Sequence, residues 1–337
     1  MKKLLLTLLL AGIFNTGYLF SQENVNNPGV VFEYMKKSPI MFKIEELKDT
    51  ILPPDRSKNL LENKFRRIKD SSEYIVMEYD ELIYKDRIFI DAEKLFSEGK
   101  YQEALLEYKN LYQKYPDFTM ALTMQGLCLI KSGNQDDAID VLRDAVSDNF
   151  IDFQAHKLLA DIYANMELLD VAIRHILYAH ILNRNDSEIN IKRIELFKKK
   201  GLNTSSWVFV PQVKFEATKS DVDIYIKPQY EGYGMVDAVW RYDDDYKKTK
   251  KNADAKFNLN RFQEIVVAQA FMLSRTPWYA ETEEGRIIKK VIETRMVNEF
   301  IYYEIILPDN PEEVRKLSED IINKLVKYVM TVRGEVK

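Results

Sequence analysis

The apolar and polar positions change rhythm several times along the chain. Leu4 to Phe14 is an almost unbroken apolar run, preceded by Lys2-Lys3 and followed by the polar Asn15-Thr16-Gly17. A positive start, a short apolar segment and a small residue at its exit are the layout of a secretory signal, so residues 1–21 read as a signal peptide with removal near Ser21. A spanning helix needs about 20 apolar residues. Asn15 interrupts the run, and the mature chain is expected to carry no transmembrane span. Residues 22–84 have a mixed texture. A polar start leads to a short strand expected around Val30–Tyr34, a break at Pro53-Pro54, a helical stretch about Asn59–Lys69, and Tyr74–Tyr84 running into the helical middle of the chain. This segment reads as an extended arm plus a helix.

From Lys85 to Gly201 the apolar spacing is helical, with helices expected at about 87–98, 102–114, 120–132, 136–147, 153–166 and 169–182. From Trp207 the period falls to two, in Val213, Phe215 and Ala217, in Val222, Ile224 and Ile226, and in Val236, Ala238, Trp240 and Tyr242. These predict three strands. Helical spacing returns at about 259–274, 285–306 and 311–331, the last opened by Pro311-Glu312-Glu313. The simplest assembly is a small α+β domain over residues 202–337, three antiparallel strands covered by three helices.

The helical middle repeats. Ala104, Ala138 and Ala172 stand 34 residues apart, and the same interval relates Leu111, Ala145 and Ala179, and Ala92, Gly126 and Ala160. Leu95, Leu129 and Tyr163 share it too. Small residues at fixed points let paired helices approach closely, while larger ones fill the wedge between them. Gly99 and Gly133 stand where the first helix of a pair must end. This pattern resembles the tetratricopeptide repeat family. The resemblance implies an all-α solenoid of three helix pairs over residues 85–201, with Asp186–Lys200 as a capping helix. One period upstream of Ala104 lies Asp70, and one period beyond Ala172 lies Ser206 with Pro211 behind it, so the array is bounded on both sides. The chain departs from the family at its early Trp, replaced by Ile88, Leu122 and His156, and at the third turn, where Glu167 replaces Gly.

Composition narrows the function. The formal net charge is -4, from 49 basic and 53 acidic residues, which excludes a globally basic nucleic-acid binder. One cysteine, Cys128, excludes an intrachain disulfide and a cysteine-clustered zinc site, and its apolar neighbours suit packing. His175 and His180 are five residues apart, so on a helix they point about 140° away from each other and cannot share an ion. Asp243-Asp244-Asp245 lacks the alternating spacing of a calcium loop. Glu264, Glu293, Glu299 and Glu304 could pair as acid and base, but no nucleophile or phosphate-binding motif accompanies them. Neither a cofactor nor a metal is expected, and the chain reads as a non-enzyme.

The resemblance implies a concave groove lined by the first helix of each pair. Carried onto this chain, its residues are Phe89, Glu93 and Phe96, then Met120, Thr123, Leu127 and Ile130, then Lys157, Asp161 and Asn165. The groove would be apolar at one end and charged at the other, and would take either a protein partner or, over Phe89 and Phe96, the chain's own N-terminal arm. A second candidate is the aromatic group Tyr225, Tyr230, Tyr233, Trp240 and Tyr242, which would pack a core or, facing solvent, could bind peptide or glycan. The expectation is an exported periplasmic or envelope scaffold with a C-terminal docking domain. Its alternative is an envelope enzyme or glycan-binding protein acting on peptidoglycan through that domain.

Overall fold

The computed structural model describes residues 25–70 and 73–336. The expected signal peptide lies outside them. Among the described residues the chain is mostly helical with some strands. The strands are β1 (Met41–Glu46), β2 (Phe65–Asp70), β3 (Glu73–Glu78), β4 (Val213–Ala217) and β5 (Asp221–Ile226). They form a three-stranded sheet in the order β1-β5-β4 and the hairpin β2-β3. No helix among these residues is long and apolar enough to cross a membrane.

The chain divides into two compact units, and not at the boundary expected near residue 201. A sheet unit joins the segment ending at Thr50 to Pro211–Thr276, and a repeat unit joins Ile51–Val210 to the segment from Pro277 onward. The expected single domain 202–337 is thus split between them. Main-chain pairing explains half of this correction. β1 pairs in parallel with β5, from Met41↔Asp221 to Glu46↔Ile226. No pattern within β5 announces a partner 180 residues upstream.

In the sheet unit, β5 alternates buried Val222, Ile224 and Ile226 with half-buried Asp221, Asp223 and Tyr225, so one face is packed and the other polar. The expected strand over Val236–Tyr242 is instead part of a helix, Glu231–Tyr242. That helix is wedged between the sheet and a second helix, Leu259–Arg275. A Cβ added at Gly234 would lie 2.7 Å from Ile226, and one at Gly232 would lie 2.5 Å from the Ala268 carbonyl oxygen. Packed on two sides, the helix buries nearly every position from Gly232 to Trp240 and loses the one-sided stripe that marks helices. Val30–Tyr34 is also helical, within Pro28–Lys37, because the Asn27 side chain accepts from the Val30 N–H and Pro28 occupies the first turn.

The repeat unit contains the expected helix pairs. They are Arg87–Ser97 with Tyr101–Lys114, Met120–Lys131 with Gln135–Asp148, and Phe153–Asn165 with Leu169–Leu182, with Ser187–Lys200 after them. Ala92, Ala104, Ala138, Ala145, Ala160, Ala172 and Ala179 are fully buried. At Gly126 a Cβ would stand 2.5 Å from Leu142 Cγ, so the close approach inferred from small residues is real. The turns at Gly99 and Gly133 are left-handed, with φ of 77° and 83°, and Glu167 adopts the same conformation at φ 62°.

The helix expected over Asn59–Lys69 does not form. Residues 59–64 run as an extended strap into the hairpin, registered from Phe65↔Glu78 to Asp70↔Glu73. Polar residues in β2 hid its alternation, and β3 reads as an unbroken run, Tyr74-Ile75-Val76-Met77. Arg67 is buried with its guanidinium 4.0 Å over the Tyr74 ring. At the other end of the chain, the expected helix 285–306 breaks at Arg295, which sits at φ 59°. The later segments pack on Leu169–Leu182. His180 Nε2 lies 2.8 Å from the Tyr303 hydroxyl, and the Arg184 guanidinium lies 3.8 Å over the same ring. Glu304 is buried against Arg333 at 3.1 Å and accepts from the Tyr328 hydroxyl at 3.0 Å. These bonds give Glu304 a structural setting.

Candidate partner-binding groove

Each groove residue sits on the first helix of its pair, but their surroundings differ. Phe89 is half-buried, edge-on to Tyr84 at 5.2 Å and to Phe118 at 6.1 Å. Tyr84 belongs to the short helix Glu81–Tyr84, so the segment just before the first repeat covers part of this end. Phe96 is half-buried and edge-on to Tyr101 at 5.4 Å. Met120, Leu127 and Ile130 are half-buried. Together with the two phenylalanines they form the apolar end.

Four groove positions already have polar partners. Glu93 accepts a short hydrogen bond from the buried Tyr108 hydroxyl, and desolvation, reinforced by that carboxylate, pushes the phenol well above its usual range. Lys157 pairs with Glu188, and Asp161 lies 3.1 Å from Lys192 Nζ. Asn165 is exposed. Thr123 is buried and donates to Asp152 at 2.6 Å, so it braces the loop before the third pair and does not line an open surface. Burial raises the Asp152 carboxyl above its ordinary range, against the hydrogen bonds from Thr123, Ala155 and Asn63. Cys128 is buried, and desolvation pushes its thiol up to about 12, in keeping with a packing role.

Beside Met120 an open cleft of about 420 Å³ is lined by Asn63, Lys64, Glu78, Glu81, Tyr84 and Gln154. The strap and hairpin, which belong to the N-terminal arm, supply part of its wall. What holds them there was not foreseen. Asn149 and Asn183, each at the end of the second helix of a pair, bond the backbone of β2 and of the strap respectively. Their 34-residue separation was the signal available in the sequence.

The aromatic group does not form one face. Tyr230, Tyr233 and Trp240 are buried. Trp240 donates from Nε1 to Glu264 at 2.7 Å, and Glu264 also accepts from the Tyr246 hydroxyl at 2.5 Å and pairs with Lys250 at 2.5 Å. Tyr242 packs 6.0 Å from Phe215, whereas Tyr225 lies on the polar side of the sheet and donates to Glu216 at 3.3 Å. The helical state of 231–242 causes this dispersal, since strand geometry alone would have aligned alternate rings.

A solved complex titled "Structure of Naa15/Naa10 bound to HypK-THB" superposes at a TM-score of 0.30 and 13% identity, over 73% of this chain and 34% of that one. No curated protein matches the chain in sequence. Residues 95–162 match the family model described as tetratricopeptide repeat, and this stretch is therefore a tetratricopeptide-repeat segment.

Proposed function

We propose that this chain is an exported envelope scaffold that binds a protein partner along the first helices of its repeats. The observation that carries this reading is the tetratricopeptide match over residues 95–162, joined to the half-buried apolar row Phe89, Phe96, Met120, Leu127 and Ile130 on those helices. Repeats of this kind imply protein partners. Apolar anchors at an interface contribute about 1–3 kcal/mol each when they are hot spots. The sheet unit takes the role of second docking module, because residues 277–336 pack with the repeats. No catalytic step is assigned.

Affinity capture from envelope extracts with the parent protein and Phe96→Ala tests the groove. Capture should weaken while the helical circular dichroism signal stays nearly constant. Unfolding of the array by that change would make Phe96 a core residue and remove the groove. Mass spectrometry of the native protein tests export: loss of about the first 21 residues supports it, and an intact Met1 in a cytosolic fraction overturns it.

A further inference from the structure

His156 and His175 lie on the two helices of the third pair and meet with their Nδ1 atoms 3.1 Å apart. Their ring centres are 5.4 Å apart, close to that separation plus two ring radii, so the nitrogens face each other along the line of centres. The carbonyl oxygen of Phe150 lies 3.2 Å from His156 Nε2. A carbonyl only accepts, so Nε2 carries the proton and His156 Nδ1 presents a lone pair to His175. Aromatic rings enclose the pair: Tyr178 at 5.0 Å and Phe150 at 5.2 Å from His156, and Tyr163 stacked at 5.6 Å on His175. His156 is buried and His175 half-buried, which leaves an approach from solvent. Among the described residues no third His, Cys, Asp or Glu completes a larger ligand set.

We propose that the two facing Nδ1 atoms form a linear, two-coordinate site for a soft monovalent cation of the copper(I) class, for which silver(I) is a redox-inert probe. Zinc needs four ligands in a tetrahedron, whereas imidazole nitrogen also suits copper. A single charge costs far less than a double one in an apolar enclosure. The carbonyl on the far nitrogen of His156 is the outer partner that metal-bound histidines ordinarily have. Arg143 and Arg174 are exposed and oppose added charge at His175, twice as strongly for a divalent ion. Metal–nitrogen bonds of about 2.0 Å require the nitrogens to separate by roughly 1 Å, a movement open to the half-buried His175 side chain.

On binding, the proton shared between the two Nδ1 atoms moves to His175 Nε2, so no proton is released. Cys128 is the competing ligand, and a thiol that takes silver releases its proton.

The decisive experiment titrates the full chain with silver(I) while recording imidazole ¹⁵N spectra and proton release in weak buffer. One equivalent should shift the Nδ1 resonances of His156 and His175 together, leave His180 unmoved and release no proton. His175→Gln should lower affinity by more than about tenfold, the least that losing even an outer-shell partner costs. Unchanged imidazole resonances would reduce the pair to a hydrogen bond and overturn the site. So would proton release with Cys128 as sole ligand, or undiminished affinity in His175→Gln. Should that variant fail to fold, the spectra of the parent chain decide alone.

Discussion

Asn183 and Asn149 hold successive points of one passing segment, the strap and the strand β2 that follows it, with the same gesture. Each ends the second helix of its pair in nearly the same conformation, with φ of -141° and -139°. Asn183 Oδ1 accepts from the Leu61 N–H at 3.1 Å and its Nδ2 donates to the Leu61 carbonyl at 3.3 Å. Asn149 Oδ1 accepts from the Arg67 N–H at 3.2 Å and its Nδ2 donates to the Phe65 carbonyl at 3.0 Å. A carboxamide is the side chain that can donate and accept at once, so it satisfies both polar groups of a passing backbone. The repeat period thereby spaces two clamps along one edge of the array.

Replacing Asn183 by Ala should therefore destabilise the repeat unit by about 1–3 kcal/mol, the cost of leaving backbone groups unpaired. Asn149→Ala should do the same. Because either change frees a shared element, the double variant should cost less than the two together. Chemical denaturation of the four proteins in parallel checks both statements, and additive losses would show that the clamps act independently.

Glu167→Gly should stabilise the protein. Glu167 occupies the left-handed region that Gly99 and Gly133 occupy in the preceding repeats, and an L side chain there costs about 1–2 kcal/mol. The added flexibility of the unfolded chain takes back part of this, about 0.5–1 kcal/mol. A rise in melting temperature is expected. Gly133→Ala should lower it, although a Cβ there meets nothing within 4 Å, because the penalty is conformational.

Gly126→Ala places a Cβ 2.5 Å from Leu142 Cγ in the packed interval between helices. Overpacking of this kind costs about 1–3 kcal/mol. Thermal unfolding monitored by circular dichroism should show a clear loss for Gly126→Ala. An unchanged midpoint would mean that the helix pairs tolerate wider spacing than the buried alanines imply.

The histidine pair predicts a sign for pH dependence. The ordinary imidazole value is 6.5, whereas in the fold His175 protonates at about 4 and His156 at about 3. As pH falls from about 6.5 to about 4, the unfolded chain binds protons that the folded chain refuses, so stability declines through that window. Below about pH 3 the contribution of the pair levels off. His175→Phe should flatten the slope of stability against pH between about 6.5 and 4, a comparison in which the raised Asp152 carboxyl is common to both proteins.

The helices of the repeats were legible because Ala104, Ala138 and Ala172 mark a period that one helix face reads out directly. Their turns were legible at Gly99 and Gly133, and at Glu167 by register alone. Residues 231–242 were misread because burial on two sides leaves no polar face to count. β1 was invisible for a different reason: its place beside β5 depends on a pairing across the chain, and its own side chains are mostly exposed. The candidate groove came from the resemblance, but Thr123 showed how a lining position can turn inward to brace a loop. Meanwhile His156 was noted only as a departure from the family, and its meeting with His175 needed the angle between two helices.

The groove itself is tested most directly by photo-crosslinking at single positions in the full chain. Photoreactive residues at Phe96 and Ile130 probe the first helices of two repeats, while Leu106 and Asp140, exposed on the second helices, serve as controls. Exposed to envelope extract and light, the protein should give the same partner adduct from Phe96 and Ile130 and none from Leu106 or Asp140. Adducts arising only from Leu106 and Asp140 would contradict a partner bound along the first helices.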